Sequence, residues 1–223
     1  MLLLNNIANG STIYYWDGSS ASPNTGSDPN ISMGNFSTGN SGPTMIYTGT
    51  SAPSDYTGAS GGDNFQARDP GSDPSVTSSS TYFSVTLTPD AGYTVTLNSI
   101  SLGSRSTSTG PTSIAIYSSI DNYTAALGTG SSSSSWNFQT ISFVGDSLTS
   151  AVGDDVTLRI YGYGGGGSSS SYNWHVDDIN FTVTVAAVPE PAAGGAIAGA
   201  GLLALCGWRV WRQRRPQNRT AIT

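Results

Sequence analysis

The chain has 223 residues, 36% hydrophobic and only 10% charged, with eight Arg, no Lys, thirteen Asp and a single Glu. Residues 1–187 set three Arg against thirteen Asp and so carry −10, which excludes nucleic acid as a partner, because phosphates need a basic footprint. One His and one Cys leave no Glu pair, Cys-His dyad or His-based metal cluster, and without disulfides the body must be held by a hydrophobic core.

Met1-Leu2-Leu3-Leu4 lacks a basic n-region, a full apolar stretch and a small-residue cleavage site, so it does not read as a signal peptide. Residues 17–80 are turn-rich, with breaks at Asp17-Gly18, Gly42-Pro43, Gly61-Gly62-Asp63-Asn64 and Asp69-Pro70-Gly71. Short strands are expected between them at Thr12–Trp16, Ile31–Phe36 and Thr44–Tyr47.

From Thr81 onward a period of two is clear. Phe83, Val85 and Leu87 alternate with Ser84, Thr86 and Thr88, and Pro89-Asp90-Ala91-Gly92 turns the chain. Tyr93, Val95 and Leu97 share one parity while Ile100 and Leu102 take the other, which predicts a β-bulge at Asn98-Ser99. Ile114 and Ile116 mark a further strand, Trp136 and Phe138 shift parity to Ile141 and Phe143, and Val156, Leu158 and Ile160 alternate with Thr157, Arg159 and Tyr161. Trp174 and Val176 switch phase to Ile179, Phe181, Val183 and Val185 across Asp177-Asp178. Strands with one apolar and one Ser/Thr face suit antiparallel sheets. Eight or nine of them without a helix predict an all-β, antiparallel two-sheet sandwich, jelly-roll-like because its strands must bend.

Candidate site residues are few. His175 alternates with Trp174 and Val176, so it is expected on an exposed face, and no nucleophile-elbow sequence supports a catalytic role. No cofactor is expected. Calcium is the ion the carboxylates would suit, with Asp63, Asp69 and Asp73 in one Gly-rich loop and Asp177-Asp178 at the phase break. The preferred reading is that Asp here forms turns. Asp178 and Arg159 are alternatively expected to pair between neighbouring strands. Trp16, Trp136 and Trp174 read as core residues. Tyr161, Tyr163 and Tyr172, flanking a Gly-rich loop, read as the exposed rings that could stack on sugars.

Past residue 187 the pattern changes. Val188-Pro189-Glu190-Pro191 precedes an uncharged run from Ala192 to Trp208 and then Arg209, Arg212, Arg214 and Arg215. Seventeen residues of helix span roughly 25 Å, and Val210 and Trp211 extend them toward the thickness of a hydrocarbon core. A single transmembrane helix over about 192–211 is expected, its Arg cluster cytoplasmic and residues 1–187 outside.

That order of motif, apolar segment and Arg cluster, over residues 188–215, resembles the PEP-CTERM sorting tail of exported bacterial proteins. The resemblance implies processing by the membrane enzyme exosortase, and export implies an N-terminal signal peptide missing from this chain. Four further stretches resemble the bodies such tails accompany: Tyr82-Phe83-x-Val85-x-Leu87-x-Pro89-x-x-Gly92-Tyr93, Ser106–Pro111, Leu158–Gly162 and Trp174-x-Val176-Asp177-Asp178-Ile179. They imply a jelly-roll sandwich of the galactose-binding or lectin-like kind and assign no binding residue.

The expected organisation is an extracellular sandwich (1–187), a sorting and anchor tail (188–215) and a short cytoplasmic end (216–223). The expected function is that of a noncatalytic cell-surface or extracellular-matrix protein, associated with exopolysaccharide and sorted by exosortase. The alternative is a lectin-like carbohydrate-binding module; a secreted hydrolase has no residue in its favour.

Overall fold

The computed structural model describes residues 11–26, 28–39, 46–48, 56–68, 80–146, 148–165 and 173–189. The chain divides into one compact unit, Met1–Val188, and a second, Pro189–Thr223. Glu190, Pro191, the segment 192–211 with Arg209, and Arg212, Arg214 and Arg215 lie outside the described residues, as do Asp69, Asp73 and Tyr172. Among the described residues no helix is long and apolar enough to cross a membrane.

The first unit is all-β. Its strands are β1 (Ser11–Trp16), β2 (Ile31–Met33), β3 (Ser37–Gly39), β4 (Ile46–Thr48), β5 (Asn64–Arg68), β6 (Tyr82–Pro89), β7 (Tyr93–Ser106), β8 (Ser113–Ser118), β9 (Gly128–Ser131), β10 (Asn137–Ser142), β11 (Val156–Tyr163) and β12 (Asn173–Ala187). They form two antiparallel sheets. The first runs β10-β7-β12-β5-β4 with β1 also on β12; the second runs β2-β6-β11-β8-β9 with β3 also on β6.

Among the described residues there are twelve strands, more than the eight or nine expected. The expected strand Ile31–Phe36 is cut short at Met33, and β3 follows as a separate piece on the same neighbour, β6. Gly34 donates to the Thr86 carbonyl at this break, and Phe36 turns inward to 1% exposure.

The two long strands β7 and β12 form the spine of the first sheet, paired from Trp174↔Ser106 to Ala187↔Tyr93. Their register slips at two points. Thr182 faces Ser99 while Val183 faces Leu97, leaving Asn98 as the extra residue of a bulge. This is the step that the change in apolar parity requires. A second slip falls between Asp177 and Asn180. Here β12 changes partner on its other edge, from β5 (Asn173–Val176) to β1 (Ile179–Thr184). Asp178 adopts φ 48, a left-handed conformation that returns Ile179 to the core side.

Alternation places the apolar face of each sheet between the layers. Phe83, Leu87, Ile116, Leu158 and Ile160 from the second sheet, and Leu97, Leu102, Phe65 and Phe181 from the first, are all fully buried. Each contributes about 1.5–3 kcal/mol by leaving water. Phe36 joins the layers, with ring centroids 6.1 Å from Trp16, 4.7 Å from Phe65 and 5.3 Å from Phe83. The indoles of Trp16 and Trp174 donate to the Ala21 carbonyl and to Ser104 Oγ, so neither buried N–H is orphaned.

Candidate functional site

The outward face of the second sheet gathers tyrosines around one arginine. On β11 the inward Leu158 and Ile160 alternate with outward Arg159, Tyr161 and Tyr163. Register sets Tyr161 beside Tyr82 of β6 and Arg159 beside Tyr117 of β8. Ring centroids of Tyr82 and Tyr161 are 5.1 Å apart, and those of Tyr117 and Tyr161 are 5.6 Å apart at 88°.

A 3-10 turn at Ser119–Asp121 then leads into Asn122 and Tyr123, both left-handed at φ 58 and 59. Asn tolerates that region, whereas Tyr123 in it costs roughly 1–2 kcal/mol. The strain folds Tyr123 back over the sheet, where the Arg159 guanidinium lies 3.7 Å from its ring centroid and 4.6 Å from that of Tyr82. Arg159 is thus clasped between two phenol faces, a cation–π arrangement, and its buried Nε has no hydrogen-bond partner. Burial raises the Tyr161 and Tyr117 hydroxyls above their ordinary pKa, with Arg159 opposing the shift at Tyr161. Below the rings, hydroxyl pairs Thr86–Thr157 at 2.9 Å and Ser37–Ser84 at 3.0 Å continue the same face.

Of the rings expected to be exposed, Tyr163 is half-buried and Tyr161 only 4% exposed. Tyr161 points outward as its parity requires, but Tyr82 and Tyr117 cover it, so it is the floor of the cluster. The expected Arg159–Asp178 pair is corrected outright, because β11 and β12 lie in different sheets.

Asp178 is instead the hub of the first sheet's outer face. It accepts hydrogen bonds from the Tyr15 hydroxyl at 2.6 Å, the Tyr56 hydroxyl, and the Ser60 N–H at 3.1 Å. These donors occupy the oxygens a cation would need. Among the described residues no group of three or more His, Cys or acidic side chains could hold a metal. Asp63 is exposed. Asp17, Asp28 and Asp121 each accept a nearby backbone N–H within a local turn.

Asp177 is fully buried, with Oδ1 on the Asp178 N–H at 2.8 Å and Oδ2 without a partner. Burial first, and the Asp178 charge second, push its pKa up to about 8.

His175 is not exposed as its alternation implied. It is 7% exposed, set against Asn64 Oδ1 at 2.8 Å and Trp136 at 6.2 Å between centroids. Burial and then the nearby Arg105 charge lower its pKa to about 4, leaving a neutral ring at pH 7. Tyr56 stacks on Phe138 at 5.4 Å and 22°, and its hydroxyl sits where a Cβ on Gly103 would be. Beside it lies a cleft of about 420 Å³ lined by Arg105, Ser134, Ser135 and Trp136.

Tyr82, Tyr117, Tyr123, Tyr56 and Arg105 were not among the residues expected in a site. The parity of β6 and β11 could have put Tyr82 and Tyr161 on outward faces. Nothing in the sequence announces that β8 is the other neighbour of β11.

No family model and no curated protein matches the chain. Among solved structures it is similar to the family 11 carbohydrate-binding module of a cellulosomal cellulase of Clostridium thermocellum, at 12% identity and TM-score 0.37, covering 78% of this chain and 95% of that one. It is also similar to a family 29 carbohydrate-binding module from Piromyces equi, at 11% identity and TM-score 0.36, covering 78% and 91%. Likeness at that level does not extend to a site.

Proposed function

We propose that the sandwich is a noncatalytic, jelly-roll-like carbohydrate-binding module that holds a neutral polysaccharide on the tyrosine face of its second sheet. The observation that carries this reading is the convergence of Tyr82, Tyr117, Tyr123 and Tyr161 on Arg159 from four separate segments. Phenol rings offer flat apolar faces for the C–H faces of sugar rings and hydroxyls for their rims. Tyr123 and Tyr82 are fixed on the Arg159 guanidinium before any ligand arrives, which lowers the ordering cost of binding.

Affinity electrophoresis of the full chain in detergent against mixed-linkage glucan, mannan and galactan tests it. Retardation by at least one polymer is expected, with loss of about tenfold or more in Tyr117→Ala and no release of reducing ends. Free migration through all three gels, or retardation unchanged in Tyr117→Ala, would remove the reading.

A second reading concerns delivery. The Val188 N–H donates to the Gly92 carbonyl at 2.8 Å, and Val188 and Pro189 are exposed. Val188 and Pro189, the first two residues of the Val188-Pro189-Glu190-Pro191 motif, therefore follow directly on the end of β12 at Ala187. Exosortase is the proposed reader of this motif, and the cell surface or extracellular matrix the proposed destination.

A further inference from the structure

The first sheet carries a second, chemically different recess. Arg105 projects from β7 directly opposite His175 of β12 in register. Among the described residues its guanidinium makes no hydrogen bond or ion pair, in a body that carries −10. His175 does not share its charge, since burial and Arg105 itself keep that ring neutral. Among the described residues that guanidinium has no carboxylate partner, which leaves it open to an anion.

The walls narrow the class of anion. Trp136 lines the cleft and is held from behind by Tyr56 and by His175, each with centroids 6.2 Å away. The Ser132–Ser135 turn is pinned by Ser106 N–H to the Ser133 carbonyl at 2.7 Å and by Ser104 Oγ to Ser132 Oγ at 2.9 Å. Ser134 and Ser135 themselves are exposed. A planar fork, an aromatic wall and two hydroxyls in about 420 Å³ match a small polar ring bearing a carboxylate.

We propose that the Arg105–Trp136 cleft binds a hexuronate residue of an acidic glycan, with Arg105 forking the carboxylate and Ser134 and Ser135 meeting ring hydroxyls. This site lies on the opposite sheet from the tyrosine face and does not rest on it. Net repulsion between the acidic body and a polyanion means that retention of such a ligand reports a local contact, not bulk charge.

Calorimetry of the full chain in detergent with trigalacturonate, trimannuronate and the methyl ester of each tests the assignment. At least one acid is expected to bind about tenfold or more tighter than its ester. Arg105→Gln should erase that preference, and Arg105→Lys should restore part of it, because a point charge replaces a fork. Ser135→Glu, a change at an exposed position, should also erase it and serves if Arg105→Gln fails to fold. Tyr117→Ala should leave it intact, which separates this site from the neutral-glycan face. Equal affinity for acid and ester, no binding of either acid, or acid binding unchanged in folded Arg105→Gln or Ser135→Glu would overturn the proposal.

Discussion

Tyr15 on β1 donates its hydroxyl at 2.6 Å to Asp178, which lies 163 residues later on β12. The bond spans the point at which β12 exchanges β5 for β1, and Tyr56 and Ser60 bind the same carboxylate from a loop. One side chain therefore ties two segments, β1 and the loop of Tyr56 and Ser60, to a bulge that would otherwise expose unpaired backbone. A hydrogen bond to a charged group is worth about 1.5–3 kcal/mol. Tyr15→Phe should lower the melting temperature by several degrees, and Asp178→Ala should lower it further, since it also loses a residue type tolerant of φ 48. Asp178→Asn should fall between them. Equal melting temperatures for wild type and Asp178→Ala would remove the hub.

Asp177 makes stability depend on pH. Its folded pKa of about 8 lies above the ordinary 3.8, so the native state holds a proton that the unfolded chain gives up. Its contribution is greatest below about pH 4 and is lost as pH rises through 8, at up to about 1.4 kcal/mol per pH unit. His175, its folded pKa lowered to about 4, acts in the opposite sense up to its ordinary 6.5, so the two separate above pH 7. In urea titrations the midpoint should fall from pH 7 to pH 9 for the wild type and stay nearly level over that range for Asp177→Asn. Matching slopes in the two proteins would show that another group carries the effect.

Tyr123 separates stability from binding. Tyr123→Gly relieves about 1–2 kcal/mol of left-handed strain and forfeits a cation–π contact of about 0.5–1 kcal/mol with Arg159. The melting temperature should move by no more than a few degrees, while retardation by neutral glycan falls severalfold. A large drop in melting temperature would make Tyr123 a structural prop and not part of a binding face.

The legible part of this fold was the part written in local alternation. Parity breaks at Asn98 and at Asp177-Asp178 marked both bulges, because each side chain's face follows from its neighbours two positions away. Strand β5 (Asn64–Arg68) and strand β9 (Gly128–Ser131) gave no such signal. They are short, and β9 is half glycine, so pairing with β12 and β8 makes them strands. The sites were hidden for a related reason. Tyr82, Tyr117 and Tyr161 meet only because β11 lies between β6 and β8, an order that sequence proximity does not predict. The expected Arg159–Asp178 pair failed on the same ground, since successive strands β11 and β12 went to different sheets. Tyr161 shows the limit of parity itself: it gives the direction of a ring but not what lies on top of it.

The proposed sorting motif makes the last prediction. The Val188 N–H donates to the Gly92 carbonyl, and Pro189 and Pro191 carry no backbone N–H donor. Under the proposed sorting, an outward-facing membrane protease would cut at this motif while Arg209, Arg212, Arg214 and Arg215 would keep the apolar run in place until cutting. Given a working signal peptide in a host that has exosortase, the mature protein should lose the residues beyond the motif, and in a host without it the chain should stay whole and membrane-bound. Replacing Pro189, Glu190 and Pro191 with Ala should block processing while leaving the melting temperature of the sandwich within about a degree, because they follow its last paired residue and surface changes of this kind are within about 0.5 kcal/mol. Mass spectrometry that finds Arg212–Thr223 still attached in the exosortase-bearing host would end the sorting assignment and leave both glycan faces to be judged on their own.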